Sequence, residues 1–187
     1  MVQGKHAAPS ERPKARGFVE FLLLIVGVLV VVWLLHAFVF QPYRIPSGSM
    51  ENTIMTDDMV LAEKVSYHFD DPAPGEIVVF DDVEIPGRHL IKRCIAVGGQ
   101  TVELIDGKVV VDGVVLSEPY TNGRPSNPLN SKVVTYPYKV PEGYIWVMGD
   151  NRTNSQDSRY FGAISLESVT GRGMFVYWPI SNVGFLE

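Results

Sequence analysis

Cysteine is almost missing from this chain: of 187 residues, only Cys94 carries a thiol. An intramolecular disulfide, a cysteine-ligated metal and a redox pair are thereby excluded. Positive charge is also scarce where a nucleic acid would need it. Beyond Phe40 there are twelve Lys/Arg against nineteen Asp/Glu and no basic cluster, which removes nucleic acid as a partner. The same stretch lacks any helix-period segment of useful length and any internal repeat, so a helical domain is not expected. One polar loop is rich in Asp and Asn, yet it lacks the alternating carboxylates and distal Glu of a calcium loop.

One feature is present in excess. From Phe18 to Phe40 the residues are apolar except Glu20 and His36, and 23 residues at helical rise reach about 34 Å, enough to cross a bilayer core. The run ends His36-Ala37-Phe38-Val39-Phe40-Gln41-Pro42, with bulky side chains where a cleavable signal would need small ones, so it reads as a retained signal anchor. Lys5, Arg12, Lys14 and Arg16 precede it. By the positive-inside rule residues 1–17 form a short disordered cytoplasmic tail, and the domain from 41 to 187 faces outward.

That domain is mainly β. Short apolar, often β-branched runs predict strands at Met59–Val65, Glu76–Phe80, Leu90–Val97, Thr101–Ile105, Lys108–Val111, Tyr144–Met148 and Met174–Tyr177. Asp106-Gly107 and Asp112-Gly113 stand between apolar runs at hairpin distance, where both central residues must tolerate positive φ. A single transmembrane helix followed by a coiled antiparallel sheet or open barrel, with one or two single-turn helices, is the expected architecture. Residues 117–132, rich in Pro, Asn, Ser and Gly, read as a mobile excursion or the edge of a smaller lobe spanning about 113–140.

Three segments carry candidate chemistry. In Ile45-Pro46-Ser47-Gly48-Ser49-Met50, proline and glycine around the serines suit sharp presentation of a hydroxyl, no more than about 30 Å of extended chain from the membrane boundary. In the strand Leu90–Val97, alternation puts Leu90, Lys92, Cys94 and Ala96 on one face and Ile91, Arg93, Ile95 and Val97 on the other. A lysine so surrounded loses water, its pKa falls, and the neutral amine can take a proton from a serine. The third segment is Gly149-Asp150-Asn151-Arg152-Thr153-Asn154-Ser155-Gln156-Asp157-Ser158-Arg159, whose Asp/Arg alternation can build an ion-pair lattice around catalytic groups. Each has a blander role open to it: a Ser/Gly linker turn, a solvated lysine guarding a sheet edge, a solvated turn cluster.

Taken together and in this order, the anchor and the three segments resemble the bacterial type I signal peptidases. The resemblance implies Ser49 as nucleophile, Lys92 as general base, and Ser47 with the Ser49 backbone N–H as an oxyanion hole. It implies that Ser155 positions the lysine, that Asp150, Arg152, Asp157 and Arg159 support the site, and that Ile45, Met50, Leu90 and Ile91 bind substrate. No metal or cofactor is implied. The implied activity is removal of signal peptides from exported preproteins after small-x-small sites, at a membrane lipid surface with the secretion translocon nearby. Asn52 stands where the family usually has Pro, Thr153 where Asp is common, and Cys94 and Gly98-Gly99-Gln100 also differ from the commonest forms. His89, one strand position off the lysine's face, is expected to be incidental, and Cys94 to be a small packing residue. The open alternatives are a pilin-type Ser/Lys processing peptidase and an inactive tethered β-domain that binds translocated chains.

Overall fold

A computed structural model describes residues 14–186, with side chains from residue 17 onward; residues 1–13 of the expected tail lie outside it. The chain divides into two compact units, residues 1–37 and 38–187. The first holds helix α1, Lys14–Phe38. Its stretch Gly17–Phe38 is long and apolar enough to cross a membrane. Apolar side chains are exposed all round it, which suits a helix whose solvent is lipid.

The second unit is built on two antiparallel sheets. The larger runs β1 (Phe40–Arg44), β2 (Met59–Glu63), β11 (Val169–Trp178), β3 (Ile77–Asp81), β4 (His89–Val97), β9 (Tyr144–Met148) and β10 (Ile164–Ser165) in spatial order, with β12 (Gly184–Phe185) also paired to β11. The late strand β11 therefore lies between the early strands β2 and β3. Register shifts at Val169/Gly171, Gly173/Phe175 and Val176/Trp178 let this long strand twist and curl the sheet. Gly171 is required by proximity, since a Cβ there would lie 2.6 Å from the Glu63 carbonyl oxygen.

The smaller sheet is β7 (Val114–Val115), β6 (Lys108–Val111), β5 (Thr101–Ile105) and β8 (Tyr138–Lys139). Both Asp-Gly pairs make the expected turns: Asp106 and Gly107 have φ of 50° and 74°, Asp112 and Gly113 of 50° and 79°. The bounds of β5, β6 and β9 are those predicted. Single-turn helices are more numerous than expected, with the four-residue α2 (Ser158–Phe161) and several 3₁₀ turns.

Both faces of the large sheet are covered. Alternating side chains of β3 enter different clusters, Ile77 and Val79 joining Ile45, Met50 and Ile54, while Val78 and Phe80 join Cys94 and Val147. A third cluster around Trp146, with Ile95, Val102 and Val109, joins the small sheet to the large one. Along β4 the simple alternation is interrupted. Cys94 opposes Val147 and Ala96 opposes Trp146, so Ile95 is the extra residue of a bulge. Ala96 consequently packs in the cluster of Ile95, and Val97 in that of Cys94, reversing the expected faces beyond the bulge.

Trp146 is fully buried with its ring against Tyr136 and Tyr138. Trp146→Ala is expected to lower the unfolding free energy by about 3–5 kcal/mol, read by denaturant melts of the detergent-solubilised chain.

Candidate active site

The nucleophile segment leaves β1 and is pinned at once. Ile45 donates its N–H to the Asp58 carbonyl at 2.9 Å and accepts from Asp57 N–H at 2.7 Å. Ser47 is extended, and Gly48–Met50 then form a single 3₁₀ turn that buries Ser49. Asn151 holds this turn from the other end of the sequence. Its Nδ2 donates to the Gly48 carbonyl at 2.9 Å and its backbone N–H to the Ser49 carbonyl at 3.0 Å. Gly149 must be glycine here, because a Cβ would sit 2.4 Å from the Ser49 carbonyl oxygen and 2.3 Å from Ser155 Oγ.

Lys92 comes from β4, paired with Val78 of β3 and flanked on the other side by β9. The residue is 3% exposed, and its Nζ donates to Ser49 Oγ at 2.7 Å and to the Ile91 carbonyl at 2.9 Å. Burial pushes the amine down from 10.5 to about 8, against the opposing pull of the Asp157 and Asp150 carboxylates. That difference amounts to about 3 kcal/mol against the ammonium form. Burial dominates because both carboxylates are occupied elsewhere.

Those carboxylates belong to a buried lattice. Asp150 accepts from Arg93 Nε and Nη2 at 3.0 and 2.8 Å and from Thr53 Oγ1 at 2.5 Å. Asp157 caps α2, accepts Gly149 N–H at 3.0 Å, and takes Arg159 Nε and Nη2 at 2.8 and 2.9 Å. Arg159 donates onward to the Arg152 carbonyl, and Arg152 to the Gly149 carbonyl and the Glu118 carboxylate. Charge-assisted bonds of this kind satisfy groups that would otherwise be costly to bury. The four support residues expected from sequence, Asp150, Arg152, Asp157 and Arg159, meet here.

Several others were not read. Arg93 stood in a quoted motif without a role. Glu118 and Ser126 bind Arg152, Tyr120 lies against the Arg93 guanidinium at 4.0 Å, and the Asn127 carbonyl accepts from Arg159. All four come from residues 117–132, so this stretch is tied to the site rather than loose. Asn151 had a signal in its motif but no assigned task.

The serines differ in placement. Ser47 is exposed, with Oγ 3.5 Å from Ser49 Oγ. Ser155 Oγ is buried beside Gly149 and makes no hydrogen bond, so the expected link to Lys92 is not formed. Ile45, Leu90 and Ile91 line a shallow groove of about 160 Å³ with Tyr43, Pro46 and Val79, which opens onto Ser47 and Lys92. Met50 does not line it; it is fully buried in the core beside Ile45. His89, expected to be incidental, borders the groove, pairs with Asp81 at 2.9 Å and meets Tyr43 edge-on. Asn52 adopts φ of 91°, a value closed to the proline usual there. Cys94 is buried and its thiol is pushed up to about 12 by desolvation, as befits a packing residue. Among the described residues no group of His, Cys, Asp and Glu is arranged to hold a metal ion.

A buried serine hydroxyl in contact with a buried amine beside an apolar groove suits a serine hydrolase, and comparison with known proteins gives that class. The family model described as "Signal peptidase, peptidase S26" matches residues 18–178. Probable signal peptidase I-1 of Synechocystis sp. is 40% identical over 174 residues, covering 89% of this chain and 86% of that one. Probable signal peptidase I-2 of the same organism is 36% identical, covering 94% and 80%. A signal peptidase I structure from Enterococcus faecalis is 34% identical, with a TM-score of 0.46 over 55% of this chain and 97% of that one. The chain belongs to the signal peptidase family, peptidase S26.

Two substitutions should separate support from chemistry. Asp150→Ala leaves Arg93 buried without its carboxylate and should cost about 3–5 kcal/mol. Lys92→Met removes a charge the fold disfavours. Below pH 8 both folded and unfolded chains carry the ammonium and the full penalty stands, and it fades as pH rises from about 8 to 10.5. The Tm of Lys92→Met should therefore match or exceed that of the parent at pH 6.5, with the difference moving toward the parent by pH 10.

Proposed function

We infer that this chain is a membrane-anchored serine endopeptidase that removes signal peptides from exported preproteins. Ser49 is the nucleophile and Lys92 the general base. The observation that carries this reading is the 2.7 Å contact between a buried, depressed-pKa amine and a buried hydroxyl.

The neutral amine accepts the Ser49 proton as Oγ attacks the scissile carbonyl. The resulting oxyanion is met by Ser47 Oγ–H and the Ser49 backbone N–H, donors aimed where charge develops. Lys92, now an ammonium, returns its proton to the departing amine of the mature chain. Water, giving its proton to Lys92, then attacks the acyl carbon, and as the bond to Ser49 breaks Lys92 passes that proton to Ser49 Oγ, restoring the hydroxyl and the neutral amine. Asn151 keeps the Ser49 turn in place by holding the carbonyls on both sides of its N–H. Ser155, whose buried Oγ is unbonded beside Gly149, is assigned to position the lysine once substrate arrives. The groove bordered by Ile45, Leu90 and Ile91 is apolar and only about 160 Å³ in volume, which favours small residues before the cut.

The basic residues before the apolar run, Lys5, Arg12, Lys14 and Arg16, support an N-terminus in the cytoplasm and a catalytic unit on the outer side, at the lipid surface and near the translocon.

Ser49→Ala and Lys92→Ala should each lower cleavage of a preprotein with an Ala-x-Ala site by about a thousandfold or more, assayed with the full chain in vesicles. Full cleavage by either variant overturns the assignment. In the parent, kcat/KM should rise with pH through a midpoint near 8, because only the neutral amine takes the proton. A flat profile from pH 6 to 9 excludes Lys92 as the base.

A further inference from the structure

A second cleft adjoins the apolar groove, sharing Ser47, Arg88, Leu90 and Lys92 with it, and contains Ser49, which the groove does not. It has a volume of about 210 Å³, and polar side chains dominate its walls: Asp82, Glu84, Arg88, Asn154 and Gln156. Its outer limit is formed by Glu84 and Phe161, and these two residues are also the inner limit of a larger basin of about 680 Å³. The basin is bordered by Val83, Lys132, Val133 and Tyr160. The cleft that holds the reacting pair and the basin thus meet at Glu84 and Phe161.

Both walls of the basin are held in shape by their own bonds. On one side the Asp82 carboxylate accepts the backbone N–H groups of Glu84 and Ile85 at 2.7 and 3.3 Å and pairs with Arg88, which fixes the β3–β4 connection that presents Val83 and Glu84. On the other, Ser131 Oγ donates to the Tyr160 carbonyl at 2.6 Å and accepts Val133 and Val134 N–H at 3.1 Å. Val133 is 67% exposed, Val83 55% and Tyr160 39%, so three apolar surfaces are held open to water around one hollow. The floor residue Phe161 is steadied by edge-on contact with Phe80 of the core.

We propose that this basin binds the early mature segment of the substrate, seating an apolar or aromatic side chain several residues after the cut between Val83, Val133 and Tyr160. The proposal deepens the peptidase reading and rests on it. With the residues before the cut in the apolar groove, which lacks Ser49, the chain leaving Ser49 through the second cleft reaches Glu84 and Phe161, where the basin begins. Burial of one such side chain favours the extended substrate by about tenfold in kcat/KM.

The test compares two preprotein-derived substrates with the same Ala-x-Ala site, one ending two residues after the cut and one carrying six further residues that include Phe and Leu. The full chain in vesicles is assayed as parent, Val133→Asp and Tyr160→Ala. The ratio of kcat/KM, long over short, should be about ten in the parent and fall toward one in both variants. A third substrate with Asp in place of the Phe and Leu should behave as the short one. A parent ratio near one, or a ratio that survives both substitutions, overturns the basin. Failure of the parent to cleave either substrate would instead remove the peptidase reading, and the basin with it.

Discussion

Keeping the Lys92 amine dry is the constraint around which the catalytic unit is arranged. A lysine in the middle of a sheet loses hydration worth several kilocalories, and its contact with Ser49 replaces only part of that. The Ile91 carbonyl, accepting from the same amine at 2.9 Å, adds a second partial replacement. Asp150 and Asp157, near enough to draw the amine's pKa upward, each have a bidentate arginine of their own. A free carboxylate in either place would hold the proton on Lys92 to higher pH.

The arginine–carboxylate lattice then explains features that look unrelated. It fixes Gly149 through Asp157 and Arg152, places Asn151 over the Ser49 turn, and reaches into residues 117–132 through Glu118, Tyr120 and Ser126. These groups are buried or half-buried and bonded to one another. Such networks gain their rigidity when their members are satisfied, so the loop outside the main sheet is part of what holds the Ser49 turn still.

Much of the fold was legible because its signals are local. Strands β5 and β6 and their Asp-Gly turn declare themselves within a dozen residues, and β9 by an uninterrupted apolar run. β1 was hidden for two reasons: it follows the membrane-length segment directly, and it contains Pro42, which an edge strand tolerates. Only the second half of β11 was read, since Gly171, Arg172 and Gly173 break its apolar character. The faces of β4 held up to Cys94 and reversed beyond it, because a bulge depends on the partner strand and leaves no mark in the strand's own period. In the site, the chemical types of Ser49 and Lys92 could be read, but their meeting could not. It follows from sheet order, which no periodicity encodes, and the sequence pointed to it only through resemblance. Glu118 was unreadable for a related reason, as a single acidic residue in a stretch whose composition suggests only a loop.

The position of β11 between β2 and β3 bears on how the protein is made. Synthesis produces the Ser49 turn with β1 and β2, and then Lys92 with β3 and β4, but the strand that joins these two pairs is the last long one to emerge. Until it does, hydroxyl and amine belong to separate hairpins. The contact between Ser49 and Lys92 therefore waits on a strand made long after both residues, and the site closes only once the sheet around it is complete.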